Sequence, residues 1–513
     1  MDERLRHYQY SYNTPDSDWI EIDKFKAWIQ TCDLYHRDHC QSSPIINYSR
    51  SKAMPFWLIN VREGCLVAAT DGDRYVCLSY VWGQSHSDNI SITMANLHTL
   101  RVTQSLTKDS TLLPRTVSHA MSLARLLGET YLWVDRLCIP QKGGEKTKSD
   151  QLNSMADIYG NACFTIVAAQ GDADAGLRGI FGVTPPRVLE EPLKYHDHYE
   201  AFTKQAGKLI RSDWYNRGWT FQEHICSCHK IIFHDDTVNW ECHCSAWYEN
   251  QELPELAMQQ ASFSCTKMPP SNGTGFETSS WPNFYRYARL VVLYNQRTLT
   301  YPQEILNAFA GLLSVLRPAF DGGFICGLSQ MFFDSTLLWQ PYRTLQRREV
   351  KVDESTAPTW PWVPSWSWIG WRGDLHSESW RGGYDYMKRN PDEVLKIDHD
   401  GQTHWEPTTW HTIHTVEWRY SEGTDSQQFP VIPSSQKYRA DAINSQTDLP
   451  TGCGAESIRG TTKTITAVTP SLNRSSGTQS HFKSRLPHLK TLKTFSFGHC
   501  SCTLAPVIVI SHW

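Results

Sequence analysis

YLWVDRLCIPQ, residues 131–141, is the stretch whose reading decides the fold. Tyr131, Leu132, Trp133 and Val134 make a run apolar enough to be covered on both faces; then Asp135 and Arg136 interrupt it, followed by Cys138 and Pro140. A strand with one wet face alternates, whereas a strand of a parallel sheet is apolar throughout because helices cover both sides. The polar end then acquires a meaning. In a doubly wound sheet the crevice outside the carboxyl ends of the strands is left open, and ligands bind there.

The flanking segments follow the same plan. Upstream, YVCLSYVWG (75–83) reads as a short strand ended by Gly83. LPRTVSHAMSLARLLGE (113–129) reads as a helix, with Pro114 in its first turn, Val117, Met121, Ala124 and Leu127 on one side, and Gly128 closing it. Downstream, Leu152, Met155, Ile158 and Tyr159 form the buried stripe of a helix over residues 150–161, and FTIVAAQG (164–171) gives a third apolar strand. KIIFHDD and TVNWECH are two further strands. Strand and helix alternate, which predicts an α/β fold: a mostly parallel sheet with right-handed crossovers and helices on both faces. Ser79 and Tyr80, Asp135 and Arg136, and Gln170 to Asp172 all sit at strand ends and face one rim, with Trp82 as an apolar wall and Gly83 as a point of close backbone approach. Asp135 has a plainer reading as well, as the cap of a loop or a partner of Arg136.

The chain has 513 residues, more than one hydrophobic core usually serves. Four regions are expected: a lead-in over 1–65 containing a helix near 20–35, an α/β domain over 66–245, a helical and Trp-rich extension over 246–375, and a polar, partly disordered tail over 376–513, ending in LAPVIVISHW. Within the extension MFFDSTLLWQ (331–340) reads as a helix and PSWSWIGW (364–371) as a strand with Trp366, Trp368 and Trp371 on one face. A net charge of −4 with no basic stripe argues against nucleic acid as a partner. No apolar run reaches the ~18 residues of a membrane span, and the N-terminus has no signal-peptide core, so a cytoplasmic protein is expected. The 15 cysteines are scattered and read as reduced thiols. CSCH (226–229) and ECHC (241–244) lack the gap of zinc knuckles, so no metal is assigned. GGEKTK (143–148) lacks the pattern of a phosphate loop and reads as a solvated loop. No spacing places Ser79 or Cys138 beside His119, so a hydrolase triad is set aside.

YVCLSYVWG, YLWVDRLCIPQ, MADIYGNACFTIVAA and RGWTFQE, in this order, resemble the defining motifs of the fungal heterokaryon-incompatibility (HET) domain. The resemblance covers about residues 66–245, and RTLTYPQEILNAFAGLL, LLWQ and PSWSWIGW look like the segment that follows this domain in many members. It implies a filamentous fungal source and a part in nonself recognition and regulated cell death, through self-association or protein partners. The HET domain is in turn similar to Toll/interleukin-receptor (TIR) domains, which implies a TIR/flavodoxin-like sheet. Some TIR domains cleave NAD with a glutamate. By that likeness Glu223 is the candidate catalytic carboxylate, and Ser79, Tyr80, Trp82, Asp135, Arg217 and Trp219 are candidate NAD-binding residues. A carboxylate there would stabilise the oxocarbenium character that develops as nicotinamide leaves, with NAD as substrate and no resident cofactor. Arg217 would contact a phosphate, or pair with Glu223 or Asp213 as a clamp.

Overall fold

Strand order here is set by which runs tolerate burial on both faces. The computed structural model describes residues 15–36, 40, 53–83, 91–107, 113–189, 206–243, 245–250, 284–320, 322–349 and 364–380, and the backbone of short strands between 393 and 503. The described chain divides into two units, one of residues 1–278 and 296–316, the other of 279–295 and 317–513.

The first unit is built on an eight-stranded sheet: β1 (Trp57–Asn60), β2 (Cys65–Ala68), β3 (Tyr75–Tyr80), β4 (Tyr131–Trp133), β5 (Thr165–Ala168), β6 (His229–His234), β7 (Thr237–Cys242) and β8 (Ala246–Tyr248), in the order β2-β1-β4-β3-β5-β6-β7-β8. The centre, β4-β3-β5-β6, is parallel. All six residues of β3 and all four of β5 are buried, the physical reason their sequences do not alternate. The edges are antiparallel hairpins, β1 with β2 and β6 with β7 with β8. Their connections are too short for a crossover, and at the β6–β7 turn Asp235 (φ 51°) and Asp236 (φ 55°) adopt the left-handed pair that a tight hairpin requires. The expected α/β fold with a largely parallel sheet is therefore what the structure has, with antiparallel additions at each side. The lead-in region supplies one of them, since β1 pairs with β4.

The helices are α1 (Ile22–Thr31), α2 (Arg115–Leu126), α3 (Glu145–Asn153), α4 (Met155–Asn161), α5 (Trp219–Cys226), α6 (Phe284–Asn295) and α7 (Asn307–Leu316). From β3 the chain crosses by α2 to β4 on one side, then returns by α3 and α4 to β5 on the other. Right-handed crossovers in opposite directions put α2 on one face and α4 and α5 on the other, and reverse the strand order at β3. The side-chain bonds agree: Tyr75 Oη donates to the Ile158 carbonyl of α4 (2.7 Å), and Ser79, two pairs along on the same face, meets α5. α7 packs on α4 and α5, with Phe309 stacked on Phe221, and approaches so closely that a Cβ on Gly311 would lie 2.9 Å from Ala156 Cβ.

Four local expectations are corrected. The helix expected over 150–161 is two helices broken at Ser154, and GGEKTK is not a loop: Glu145 to Lys148 form the first turn of α3, where Glu145 suits the helix dipole. MFFDSTLLWQ is helical only over Phe333–Thr336, where the Thr336 hydroxyl back-bonds to the Phe333 carbonyl. PSWSWIGW is not a strand but a 3₁₀ turn, Trp368–Gly370, capped by the Ser367 hydroxyl, and only Trp371–Arg372 is extended. In this second unit Trp368 is fully buried and donates to Tyr287 Oη of α6, within an aromatic core that includes Phe320 and Trp380. Part of the region expected as a polar tail forms antiparallel strands, Glu393–Ile397 with Thr403–Pro407, and Arg419–Glu422 within a four-stranded sheet. LAPVIVISHW lies outside the described residues. No described helix is long and apolar enough to cross a membrane.

One ionic contact pins the edge of the first unit. Arg187 and Glu249 are both almost fully buried and pair at 2.6 Å, while the guanidinium also reaches the Asp236 and Trp19 carbonyls. Removing one charge of such a pair strands the other in a dry site. Glu249→Gln is expected to lower unfolding stability by about 3 kcal/mol, read from the denaturant midpoint at unchanged slope.

Candidate functional site

The site forms because β3 outruns β4. Pairing of β4 with β3 stops at Trp133 opposite Cys77, whereas on the other side Ser79 and Tyr80 still pair with Val167 and Ala168 of β5. The two last residues of β3 thus lack a strand neighbour on the β4 side. There the chain turns at Val134 into one helical turn, Asp135–Cys138, with Asp135 in its first position. The apolar run of YLWV ends because the strand ends, and DRLC is the turn that follows.

Two small networks occupy the rim. In the first, Ser79 Oγ donates to Glu223 Oε2 (2.5 Å) and accepts from Trp214 Nε1 (2.7 Å), while the Tyr159 hydroxyl, which donates to the Leu78 carbonyl (3.1 Å), lies beside the Glu223 carboxyl. In the second, Trp82 Nε1 donates to Asp135 Oδ2 (2.8 Å), the other carboxylate oxygen accepts the Arg136 backbone N–H (2.7 Å), and the Arg136 guanidinium lies 5.6 Å from the Trp82 ring centre. Asp135 therefore accepts a backbone N–H of its own turn and belongs to the rim at once. Glu223 is 5% exposed, Ser79 1% and Tyr80 4%.

Burial governs the charge states. It pushes the Glu223 carboxyl up to about 7, helped by the neighbouring Asp135 and opposed by the Ser79 hydroxyl, Arg217 and Tyr159. Burial likewise raises Asp135 to about 6 against the Arg136 amide, the Trp82 indole and Arg217. The Tyr80 hydroxyl, near both carboxyls, is held well above its ordinary range and finds no hydrogen-bond partner among the described residues. Two acids pushed up beside each other, a phenol without a partner and a half-buried guanidinium are groups that could hold a polar ligand and share a proton.

The structure thus brings Ser79, Tyr80, Trp82, Asp135, Arg217 and Glu223 to one rim. Trp219 stands apart: its indole donates to Glu304 (3.1 Å). Arg217 forms a bridge with Thr298 through its backbone, and its charge bears on Asp135 and Glu223. Gly83 adopts a positive φ (74°), and the Asp172 side chain fills the space a Cβ would take there, so the close approach at this glycine is made by Asp172. His119 accepts the Leu177 N–H, outside the Ser79 network. Trp214 and Tyr159 were not read as site residues. Tyr159 reads as part of the buried stripe of its helix, and Trp214 stands just before the RGWTFQE motif. A cleft of about 320 Å³ opens beside the rim at the ends of β5 and β6, lined by Gln170, Gly171, Arg115, Arg178, His234 and Asp236 among others.

Residues 75–223 match the family model described as Heterokaryon incompatibility protein (HET). The match runs from the first residue of β3 to Glu223, the stretch that builds the rim, and this segment is a HET domain. No curated protein and no solved structure matches the chain.

The raised carboxyl has a consequence for stability. An acid whose pKa rises on folding, from its ordinary 4.5 to about 7, favours the folded state fully below pH 4.5 and loses that contribution as pH climbs through 7. Glu223→Gln, a neutral isostere that still accepts from Ser79, should match the wild type at pH 5 and exceed it at pH 8 by on the order of 3 kcal/mol. Paired denaturant titrations check this. A variant less stable at pH 8 than at pH 5, relative to wild type, would show instead that Glu223 is held as an anion.

Proposed function

We propose that this protein acts in heterokaryon incompatibility as a signalling module of a fungal cytoplasm, whose HET domain associates with itself or with protein partners and so starts regulated cell death. The observation that carries this reading is the closure of the rim: Ser79 is bonded to both Trp214 and Glu223 in the interior, so at rest the Ser79 hydroxyl and the Glu223 carboxyl are withdrawn from solvent. A module silent until assembled fits that arrangement. Expression of wild type from an inducible promoter in a filamentous fungus should cut colony survival at least tenfold, and Ser79→Ala, which breaks the Trp214–Ser79–Glu223 chain that holds the rim closed, should strengthen killing at equal protein levels. Full survival under wild-type expression at verified protein levels, with and without a fused dimerising module, would remove the cell-death reading.

A second reading rests on the same residues: NAD cleavage with release of nicotinamide, Glu223 serving as the carboxylate. The specific support is a carboxyl raised to about 7 beside Asp135 and Arg217, with the unpartnered Tyr80 hydroxyl available to a ribose hydroxyl. In such a reaction the C–N bond to nicotinamide breaks with its electron pair leaving on nicotinamide, and water adds to the ribose carbon. Ionised Glu223 would stabilise the developing cation, so activity should rise with pH through about 7. With Glu223 5% exposed, NAD reaches it only if assembly opens the rim. Concentrated or force-dimerised protein should release nicotinamide, and Glu223→Gln should lower that rate by about 10²-fold or more while melting no lower than wild type. Intact NAD under forced dimerisation excludes the enzyme; killing by Glu223→Gln at wild-type levels separates death from chemistry at this residue.

A further inference from the structure

Far from the rim, four soft donors meet in the interior of the first unit. Cys32 and His36 lie on the π-helical turn Cys32–His36 that continues α1, Cys40 follows four residues later, and Cys242 ends β7. Cys32 and Cys242 are 1% exposed, and His36 and Cys40 are fully buried. The three Sγ atoms and a ring nitrogen all lie within 4.8 Å of one another, and His36 Nδ1 is 3.4 Å from both Cys32 Sγ and Cys242 Sγ. In a tetrahedral zinc site with Zn–S near 2.3 Å and Zn–N near 2.05 Å, ligands stand about 3.8 Å (S to S) and about 3.6 Å (S to N) apart. The two S-to-N distances of 3.4 Å are already close to that spacing, and no donor pair is more than 4.8 Å apart.

Two further observations point the same way. Cys242 Sγ accepts the Ser245 backbone N–H at 3.2 Å, a bond that favours a thiolate over a thiol. The His36 ring packs against Trp247 at 5.4 Å, which fixes the imidazole plane toward the sulfurs. A disulfide accounts for the group less well, since joining any two sulfurs leaves a third and an imidazole facing them. We propose that Cys32, His36, Cys40 and Cys242 bind one zinc ion in a closed Cys₃His site that fastens the N-terminal helix to the antiparallel edge of the sheet. Three thiolates and one neutral imidazole select zinc over harder cations, and four protein ligands leave no open position, so the role is structural. The pattern Cys-x₃-His-x₃-Cys, at intervals of four on one helical face, was its signal in the sequence, with the fourth ligand inside ECHC. The two-residue gap of a zinc knuckle was the wrong template, because here the ligands come from a helix and a distant strand. Cys226 and Cys228 of CSCH are not in the group, and Cys244 lies outside the described residues.

The full chain, expressed with zinc supplied and purified reduced and without chelator, should carry one zinc per chain by elemental analysis. Exchange with Co²⁺ should give tetrahedral d–d bands and a sulfur-to-cobalt charge-transfer band of the intensity of three thiolates. Cys242→Ser should lose the metal and lower the melting temperature. Because that variant could simply misfold, His36→Cys provides the second arm: it should keep one zinc and strengthen the charge-transfer band. Cys226→Ser should keep both zinc and spectrum. Zinc well below one per chain in folded wild type, an octahedral cobalt spectrum, loss of zinc on Cys226→Ser, or a disulfide among these cysteines by mass spectrometry overturns the proposal.

Discussion

The arrangement depends on β3 being paired in parallel on both sides and by unequal lengths. Parallel pairing on each flank makes β3 the strand at which the order reverses, and reversal puts helices on both faces while leaving its carboxyl end uncovered. Unequal length does the rest. Since β4 stops opposite Cys77, Ser79 and Tyr80 project beyond it, and the turn at Asp135 and the helix carrying Glu223 fill the space. No contact in the rim needs a special interaction beyond this geometry.

Sealing that rim has an electrostatic cost that the protein meets by protonation and hydrogen bonding. Two carboxyls buried near one another would be expensive as a pair of anions, so both are pushed up, and the Ser79 hydroxyl, the Trp82 indole and the Arg136 and Arg217 guanidinium groups soften the effect. A rim of this kind is stable when closed and changes charge near neutral pH. Exposing these carboxyls to water would lower both pKa values, so an opening of the rim is tied to pH through the same few atoms. The buried Cys and His group at the other side of the first unit acts on a different problem, holding the N-terminal helix on an edge that hairpins alone would leave open.

Much of the sheet could be read from the chain. Residues 75–80, 131–133 and 165–168 are apolar without alternation, and that pattern has few other uses than a strand covered twice. Short polar interruptions were harder. Ser154 splits a helix whose apolar stripe runs through it, and Ser367 turns a Trp-rich run into a 3₁₀ turn, because a hydroxyl that bonds nearby backbone competes with the regular ladder and leaves no mark on hydrophobic periodicity. Of the rim, Ser79 and Asp135 were legible as polar groups at the ends of apolar strands, and Glu223 only through the resemblance that RGWTFQE carries. Trp214 was not, since a buried tryptophan looks the same whether its N–H has a partner or not.

The sequence by itself determined the alternation of strand and helix, hence a parallel centre with its polar ends on one side, because burial on both faces writes itself into every residue of a strand. It also determined which segment is a HET domain, since four motifs in fixed order leave little freedom. The tertiary structure alone decided that Glu223 bonds to Ser79, that Trp219 turns away to Glu304, and that Cys242 meets Cys32, His36 and Cys40. Those pairings join residues far apart in the chain. They depend on where helices land and how far each strand extends, and local chemistry carries no record of either.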